Sequence, residues 1–428
     1  MNRNTVILRD TDVFMRGELD NVTISDGRIV LDLVQGSYVP YGCYTSAPLP
    51  MPAFDALRVS WNADAPDQTA VEVQARVMVD GNWTTWVSFG KWSRFLRRES
   101  PAPQDKGCLQ RRPDVLLLDS KTGQQAQIRI YLYTKSDRLT PAVSLLCASV
   151  RTQDGIPAGG RPVNTRLHLL PYAAARRAPA LRPWMDMACS LTALTNRWGA
   201  DLLPEELAQI VRDWRTDDTD AHNLCFAAAA AAAWGFPTWV CYGNLALLRD
   251  EARHGFGAVV ALQSTPAEIA AGLPERRFAA VRGFTAVNST PQVLLCDPCA
   301  AENDFDTETA MPLDSFMVAW DNVALLMRPQ PNGAHRAPRT RTGAWVRPVG
   351  TDFPDIYRLY VNGEEHPLGD DFCAHGGLLA WTEADGTVHA STAHRTFHFT
   401  EPQQGGLCIP KQETPRKCTV YAIDPAGQ

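Results

Sequence analysis

No stretch of this chain approaches the roughly 20 consecutive apolar residues that a membrane-spanning helix requires. The opening residues, MNRNTVILRDTDVF, hold one short apolar run, Val6 to Leu8, followed at once by Asp10 and Asp12, so they read as no secretory leader. Positive charge is not in excess: 41 Lys and Arg stand against 47 Asp and Glu, a formal net charge of −6. That mild acidity argues against nucleic acid as a partner, because phosphate contacts need a basic balance. The eleven cysteines are odd in number and follow no framework spacing, which argues against a disulfide scaffold. With no leader, they point to free thiols in a reducing cytoplasm. Internal repeats are absent, and the one low-complexity run is the string of alanines at 227–233.

What the chain does have is core material. Hydrophobic residues make up 45% and charged residues 21% of 428 residues, which excludes wholesale disorder. At about 100–200 residues per domain, that length suggests two to four domains. Residues 1–155 read as a β-sandwich. The segments ALRVSWNADAP and TAVEVQARVMVDGNWTTWVSFGKWS alternate apolar and polar residues around a turn at Asp80-Gly81-Asn82. DVLLLDS, QAQIRIYLYTK and AVSLLCASVR continue the series. The Gly/Pro-rich DGIPAGGRP at 154–162 reads as a linker.

From residue 163 the character changes. Helical stretches at 188–198, 204–214 and 223–235 come first, and the strands PTWVCYG, GAVVAL, FAAVRGFTA and QVLLCDP follow, an α+β order. A second loop, RPQPNGAHRAPRTRTGAWVRP at 328–348, carries five arginines and no acid. It reads as a solvated linker, with a phosphate- or acid-binding strip as the alternative. Residues 345–428 return to short strands and read as a small all-β domain.

The chemistry concentrates in RPWMDMACSLTALTNRWG, residues 182–199. Cys189 opens an amphipathic helix there, with Leu191, Leu194 and Trp198 on one face. The free N–H groups at a helix start stabilise a thiolate, which makes Cys189 a candidate nucleophile, with a plain buried cysteine as the alternative. His222, in DTDAHNLCF, precedes the alanine run and is either a substitute base or a polar cap. His254 reads as a surface residue. His389, His394 and His398 follow no recurring metal spacing. Cys296 and Cys299 form a lone Cys-x-x-Cys pair, a weak zinc or redox signal that Cys225 and Cys241 could complete only by chance of folding. No cofactor or metal is implied.

The central segment resembles the bacterial papain-fold cysteine peptidases related to the double-glycine leader peptidases. Seven blocks keep that family's order: CSLTALTNRWG, the acidic helix LPEELAQIVRDW, NLCFAAAAAAAWGF, GFGAVVALQ, FAAVRGFT, VLLCDPCA and FMVAWDNVALLMRP. The N-terminal YTSAPL, VSWNADAP and VEVQARV resemble the β domain that precedes the peptidase in one branch of the family. The resemblance implies a papain-like domain over 163–329, with Cys189 as the nucleophile and Asp297 as the acid that orients the histidine. The histidine itself is missing. In the family it lies six residues before the strand glycine, and counting back from Gly283 reaches Arg277. No histidine occurs between His254 and His335. The family's oxyanion glutamine is missing too, because LPYAAARR has alanines after Tyr172.

Three functional classes follow. The first is a thiol-dependent hydrolase or acyl-transfer enzyme with an altered site, in which Arg277 binds an anionic group of a peptide, amide or acyl substrate. The second is a catalytically inactive homologue that binds a peptide, a glycan or a protein. The third is a cysteine metal or redox site. An Arg277–Asp297 ion pair that plugs the old site is one expectation. A Cys189 ionisation lowered by Arg277 and the helix end is another. The sequence does not set the oligomeric state.

Overall fold

Side-chain alternation builds the N-terminal half. In the strand Thr69–Val79, Val71, Val73, Ala75 and Val77 face a common core while Glu72, Gln74, Arg76 and Met78 face outward. The strand Gly123–Thr134 pairs with it antiparallel and adds Ala126, Ile128, Ile130 and Leu132 to the same core. Asp80 and Gly81 both take positive φ, 50° and 78°, between paired Val79 and Asn82. That is the twist a two-residue hairpin needs, at the turn read from the sequence.

The computed structural model describes residues 4–152, 160–177, 179–198, 200, 202–215 and 222–329, together with seven strands between 344 and 399. The molecule is mostly β. Where a sandwich would divide its strands between two sheets, fourteen of the N-terminal strands join one sheet, and Leu33–Val34 and Ser37–Tyr38 pair apart from it. The 16-residue strand Leu49–Asp64 is the reason. Its first residues pair with Gly123–Thr134, and from Phe54 onward it pairs with Ala142–Thr152, so it carries the hydrogen bonding from one side of the core to the other.

The second sheet has seven antiparallel strands. Thr238–Tyr242, Trp320–Met327, Ala258–Gln263, Arg276–Val287, Thr290–Cys296 and Glu308–Pro312 lie side by side, and Thr165–Arg166 adds to Arg276–Val287. Phe278 and Ala280 face the helices Met185–Arg197, Pro204–Val211 and Leu224–Ala233. Ala279 and Val281 face the core of Leu245–Arg253 and Leu313–Ala319. Gly283 sits where Thr165 crosses, and a Cβ there would meet the Thr165 carbonyl oxygen at 2.0 Å.

The alanine run explains how the halves join. Asn223 caps the helix Leu224–Ala233 by accepting from the Cys225 and Phe226 N–H groups at 3.1 and 3.2 Å. Cys225, Phe226 and Ala229 pack into the N-terminal core, while Leu224, Ala227, Ala228, Ala230 and Ala231 pack into the core of the second sheet. A helix buried on both sides needs small apolar residues all round. Buried hydrogen bonds tie the same junction: Asn62 to both backbone groups of Thr238, and Ser60 Oγ from the Val240 N–H at 3.0 Å.

Near the C-terminus, Ala344–Pro348, Tyr357–Val361 and Glu364–His366 form one sheet. Phe372–His375, Leu378–Thr382, Val388–Ser391 and Thr396–Phe399 form another. Residues 154–159 of the linker read at 154–162, residues 330–343 of the arginine-rich loop at 328–348, His394, and residues 400–428 of the small β domain read at 345–428 lie outside the described residues.

Candidate functional site

A 3-10 turn, Pro179–Trp184, runs directly into the helix Met185–Arg197. Cys189 is therefore the fifth helical residue and does not open the helix. The four N–H groups that a helix start leaves free lie ahead of it. Its side chain is buried, 1% exposed, in the core between the helix and the second sheet. The thiol makes no hydrogen bond among the described residues. Burial pushes its ionisation well above the ordinary thiol value. Asp186, Glu205 and Asp304 add to that, and only Arg177 opposes. The expected lowering is reversed because desolvation outweighs the pull of Arg177.

Arg277 is the second residue of the long strand Arg276–Val287 and is 2% exposed. All three of its nitrogens are engaged. Nε donates to Asp297 Oδ2 at 2.8 Å, Nη2 to Glu268 Oε1 at 2.9 Å and Nη1 to Ser264 Oγ at 2.5 Å. Asp297 follows the neighbouring strand Thr290–Cys296, and its Oδ1 accepts the Cys299 N–H at 3.0 Å. Burial pushes the Asp297 carboxyl upward, and Arg277 pulls it back. The Glu268 carboxyl is held below its ordinary range, chiefly by the Thr265 N–H and less by Arg277.

His222 lies on the other side of this region. Its Nε2 is 3.3 Å from Asp186 Oδ1, and its ring meets Phe278 edge-on at 4.7 Å. Asp186 stands three residues before Cys189. Its Oδ2 accepts the Phe278 N–H at 3.0 Å, and Ser190 Oγ donates to the Phe278 carbonyl at 3.1 Å. The first turns of the cysteine helix are thus fastened to the residue after Arg277. Sequence reasoning missed Asp186. The available signal was a carboxylate one helical turn before the cysteine.

The stretch where the glutamine was sought forms a strap. Asn196 Nδ2 donates to the Tyr172 hydroxyl at 2.8 Å, and the Ala174 N–H donates to the Pro298 carbonyl at 2.9 Å. The Ala173 N–H and Arg177 Nη2 both bind Asp304, the latter at 2.8 Å to each oxygen. Tyr172 and Ala174 pack on the core that holds Cys189. Cys299 lies in the same neighbourhood. Burial raises its ionisation, Asp186 and Asp297 raise it further, and Arg277 opposes.

The remaining thiols do not gather. Cys225 belongs to the N-terminal core, Cys296 to the core beside the cysteine helix and Cys241 to the third core. Among the described residues no group of three or more His, Cys, Asp or Glu is placed to hold a metal ion. His254 is on the surface, its Nδ1 at 2.8 Å from the Asp250 carbonyl.

Residues 8–150 match the family described as Peptidase C39 N-terminal domain. No curated protein matches the chain. Among solved structures, the peptidase domain of Streptococcus ComA, a bifunctional ABC transporter involved in quorum sensing, aligns at 16% identity. That alignment covers 38% of this chain and 100% of the other, with a TM-score of 0.29. The peptidase domain of Streptococcus mutans ComA also aligns at 16% identity, over 33% of this chain and 91% of the other, with a TM-score of 0.21. The match at 8–150 is consistent with a C39-like peptidase family, the family that the sequence resembles.

Proposed function

We propose that this protein is a catalytically silent homologue of the C39-type cysteine peptidases, and that its papain-like region, 163–329, works as a binding module between the N-terminal region and a small β domain at 345–428. The observation that carries the reading is Arg277 with all three nitrogens engaged at the position of the missing histidine. Amide cleavage by a thiol needs a base to form the thiolate and an acid to protonate the leaving amine. An arginine stays charged at neutral pH and does neither. Asp297, the residue that would orient an imidazole, is spent on that arginine. The buried, protonated Cys189 thiol supports the same conclusion. The binding partner is a peptide, glycan or protein. The free state of the eight described cysteines is in keeping with a reducing cytoplasm.

One observation favours a second reading. His222 and Asp186 form a buried pair one turn before Cys189, the makings of a substitute base for a thiol hydrolase or acyl-transfer enzyme. One experiment decides between the two readings. The full chain is incubated with an activated p-nitrophenyl ester, alongside its Cys189→Ala and His222→Ala forms. The silent reading expects equal background release from all three. Turnover that disappears with Cys189→Ala overturns it, and a parallel loss with His222→Ala assigns the base.

A further inference from the structure

A second locus uses none of the residues around Cys189. The loop 93–98 follows the strand Val87–Trp92, and where it meets the helix Pro204–Val211 a cavity of about 620 Å³ opens. Arg94, Arg97, Arg98 and Arg212 line it with Phe95 and Trp214, and among the described residues no acid lines it. A larger cavity of about 730 Å³ beside the helix Leu245–Arg253 shows the contrast. There Arg328 is bound by both oxygens of Glu251 and Arg253 by Asp250.

In the smaller cavity the arginines are held by rings and backbone. Arg98 is 4% exposed and donates to the carbonyls of Ser93, Arg94, Leu96, Gln209 and Arg212. Burial, with Arg212 adding, pushes its ionisation down to about 10, against the pull of Asp213. The nearby Asp213 is itself occupied by the Ser100 and Arg215 N–H groups and the Asn223 amide. Arg212 lies over the Trp214 ring at 3.9 Å and the Trp184 ring at 4.4 Å. Arg94, half-buried, lies over the Trp234 ring at 4.3 Å and makes no ion pair among the described residues. Arg97 is exposed, forms an ion pair with exposed Glu99 and lies over the Trp214 ring at 5.8 Å. At the rim Phe95 is 58% and Trp214 38% exposed.

A guanidinium stacked on a ring keeps its N–H edge for a carboxylate or phosphate, which it takes bidentately. A cavity of this size, with apolar walls and a few fixed charges, fits a small organic ligand. We propose that this pocket binds an organic anion with a flat apolar body. Arg94 and Arg97 take its carboxylate or phosphate, and Phe95 and Trp214 take its body. The proposal stands whether or not Cys189 is reactive.

Calorimetric titration of the full chain with 2-naphthoate, 2-naphthyl phosphate and neutral 2-naphthylmethanol tests it. We expect at least one of the anions to bind, more weakly as salt is raised, and the neutral compound to bind at least about tenfold more weakly. Which anion binds identifies the head group. Arg94→Gln and Trp214→Leu should each weaken binding about tenfold while leaving the urea unfolding midpoint in place, and Arg97→Gln is the second charge variant. Equal binding of the neutral compound overturns the proposal, as do variants that bind like the parent or no binding of either anion. Binding that appears only in the Asp217→Asn, Asp218→Asn, Asp220→Asn triple variant also overturns it, by assigning the pocket to the chain's own acids.

Discussion

Two arginine–aspartate pairs flank the buried Cys189, and they differ in depth. Arg277–Asp297 lies in the interior, with side chains 2% and 4% exposed. Arg177–Asp304 lies at the rim, with side chains 16% and 29% exposed. Each stands in a stretch where the resemblance leads one to look for a catalytic group, the histidine at Arg277 and the glutamine in LPYAAARR. The comparison teaches that the same chemical pair is an obligate part of the fold in one place and a clasp in the other. In the interior, losing one partner strands a charge out of reach of water. At the rim, water replaces the lost partner.

The largest effect is expected from the interior pair. Arg277→Ala leaves Asp297 buried without its cation and should lower stability by about 3–5 kcal/mol, read as a shift of the urea unfolding midpoint. The double variant Arg277→Met, Asp297→Leu removes both charges and should recover most of that loss. A single variant as stable as the parent would mean that the pair is solvated, and the contrast with the rim would collapse.

Arg177→Ala should cost about 1 kcal/mol, because both partners are partly hydrated. Its larger consequence is kinetic. The strap 172–177 loses its hold on Asp304, and iodoacetamide should alkylate Cys189 about fivefold faster than in the parent, the same about 1 kcal/mol expressed as easier local opening. Unchanged labelling, followed by peptide mass spectrometry, would show that the strap does not cover the thiol.

The pH dependence of that labelling sharpens the contrast further. Burial raises the Cys189 ionisation above its ordinary value of 9.0. The protonated thiol therefore favours the folded state at all pH below that value, and the contribution is lost as pH rises through the raised folded value. At neutral pH Cys189 should be alkylated more slowly than half-buried Cys108. Faster labelling of Cys189 below pH 7 would restore the activated thiolate.

Parts of this were legible in the sequence for physical reasons. Asp80-Gly81 announced its hairpin because few residues accept positive φ. Arg277 was reached by counting back six residues from Gly283, a spacing that the resemblance supplied, and it stands on the same strand as that glycine. The chain does not announce depth. The 3-10 turn Pro179–Trp184 moves the helix start ahead of Cys189, and nothing in MDMACSL marks where the free N–H groups end. The alanine run said helix but not that both faces would be covered. In RFLRRES the arginines of the second cavity were in plain view. That they share one cavity with Gln209, Arg212 and Trp214 shows only in the fold, because those residues come from far along the chain.

The smallest effect is expected from the substitution that invites the most hope, Arg277→His. If a single residue separated this protein from an active peptidase, restoring the imidazole would restore turnover. The geometry argues otherwise. An imidazole carries at most two donors and cannot reproduce the three bonds of Arg277 to Asp297, Glu268 and Ser264. The thiol it should serve stays buried and lies beyond the free N–H groups of its helix. The stretch LPYAAARR offers no glutamine to hold an oxyanion, a deficit typically of about 10²–10³ in rate. Arg277→His should therefore show no release from an activated ester above that of its own Cys189→Ala form. A Cys189-dependent rate in Arg277→His would show that the interior pair alone silences the site, and that the strap is no barrier to substrate.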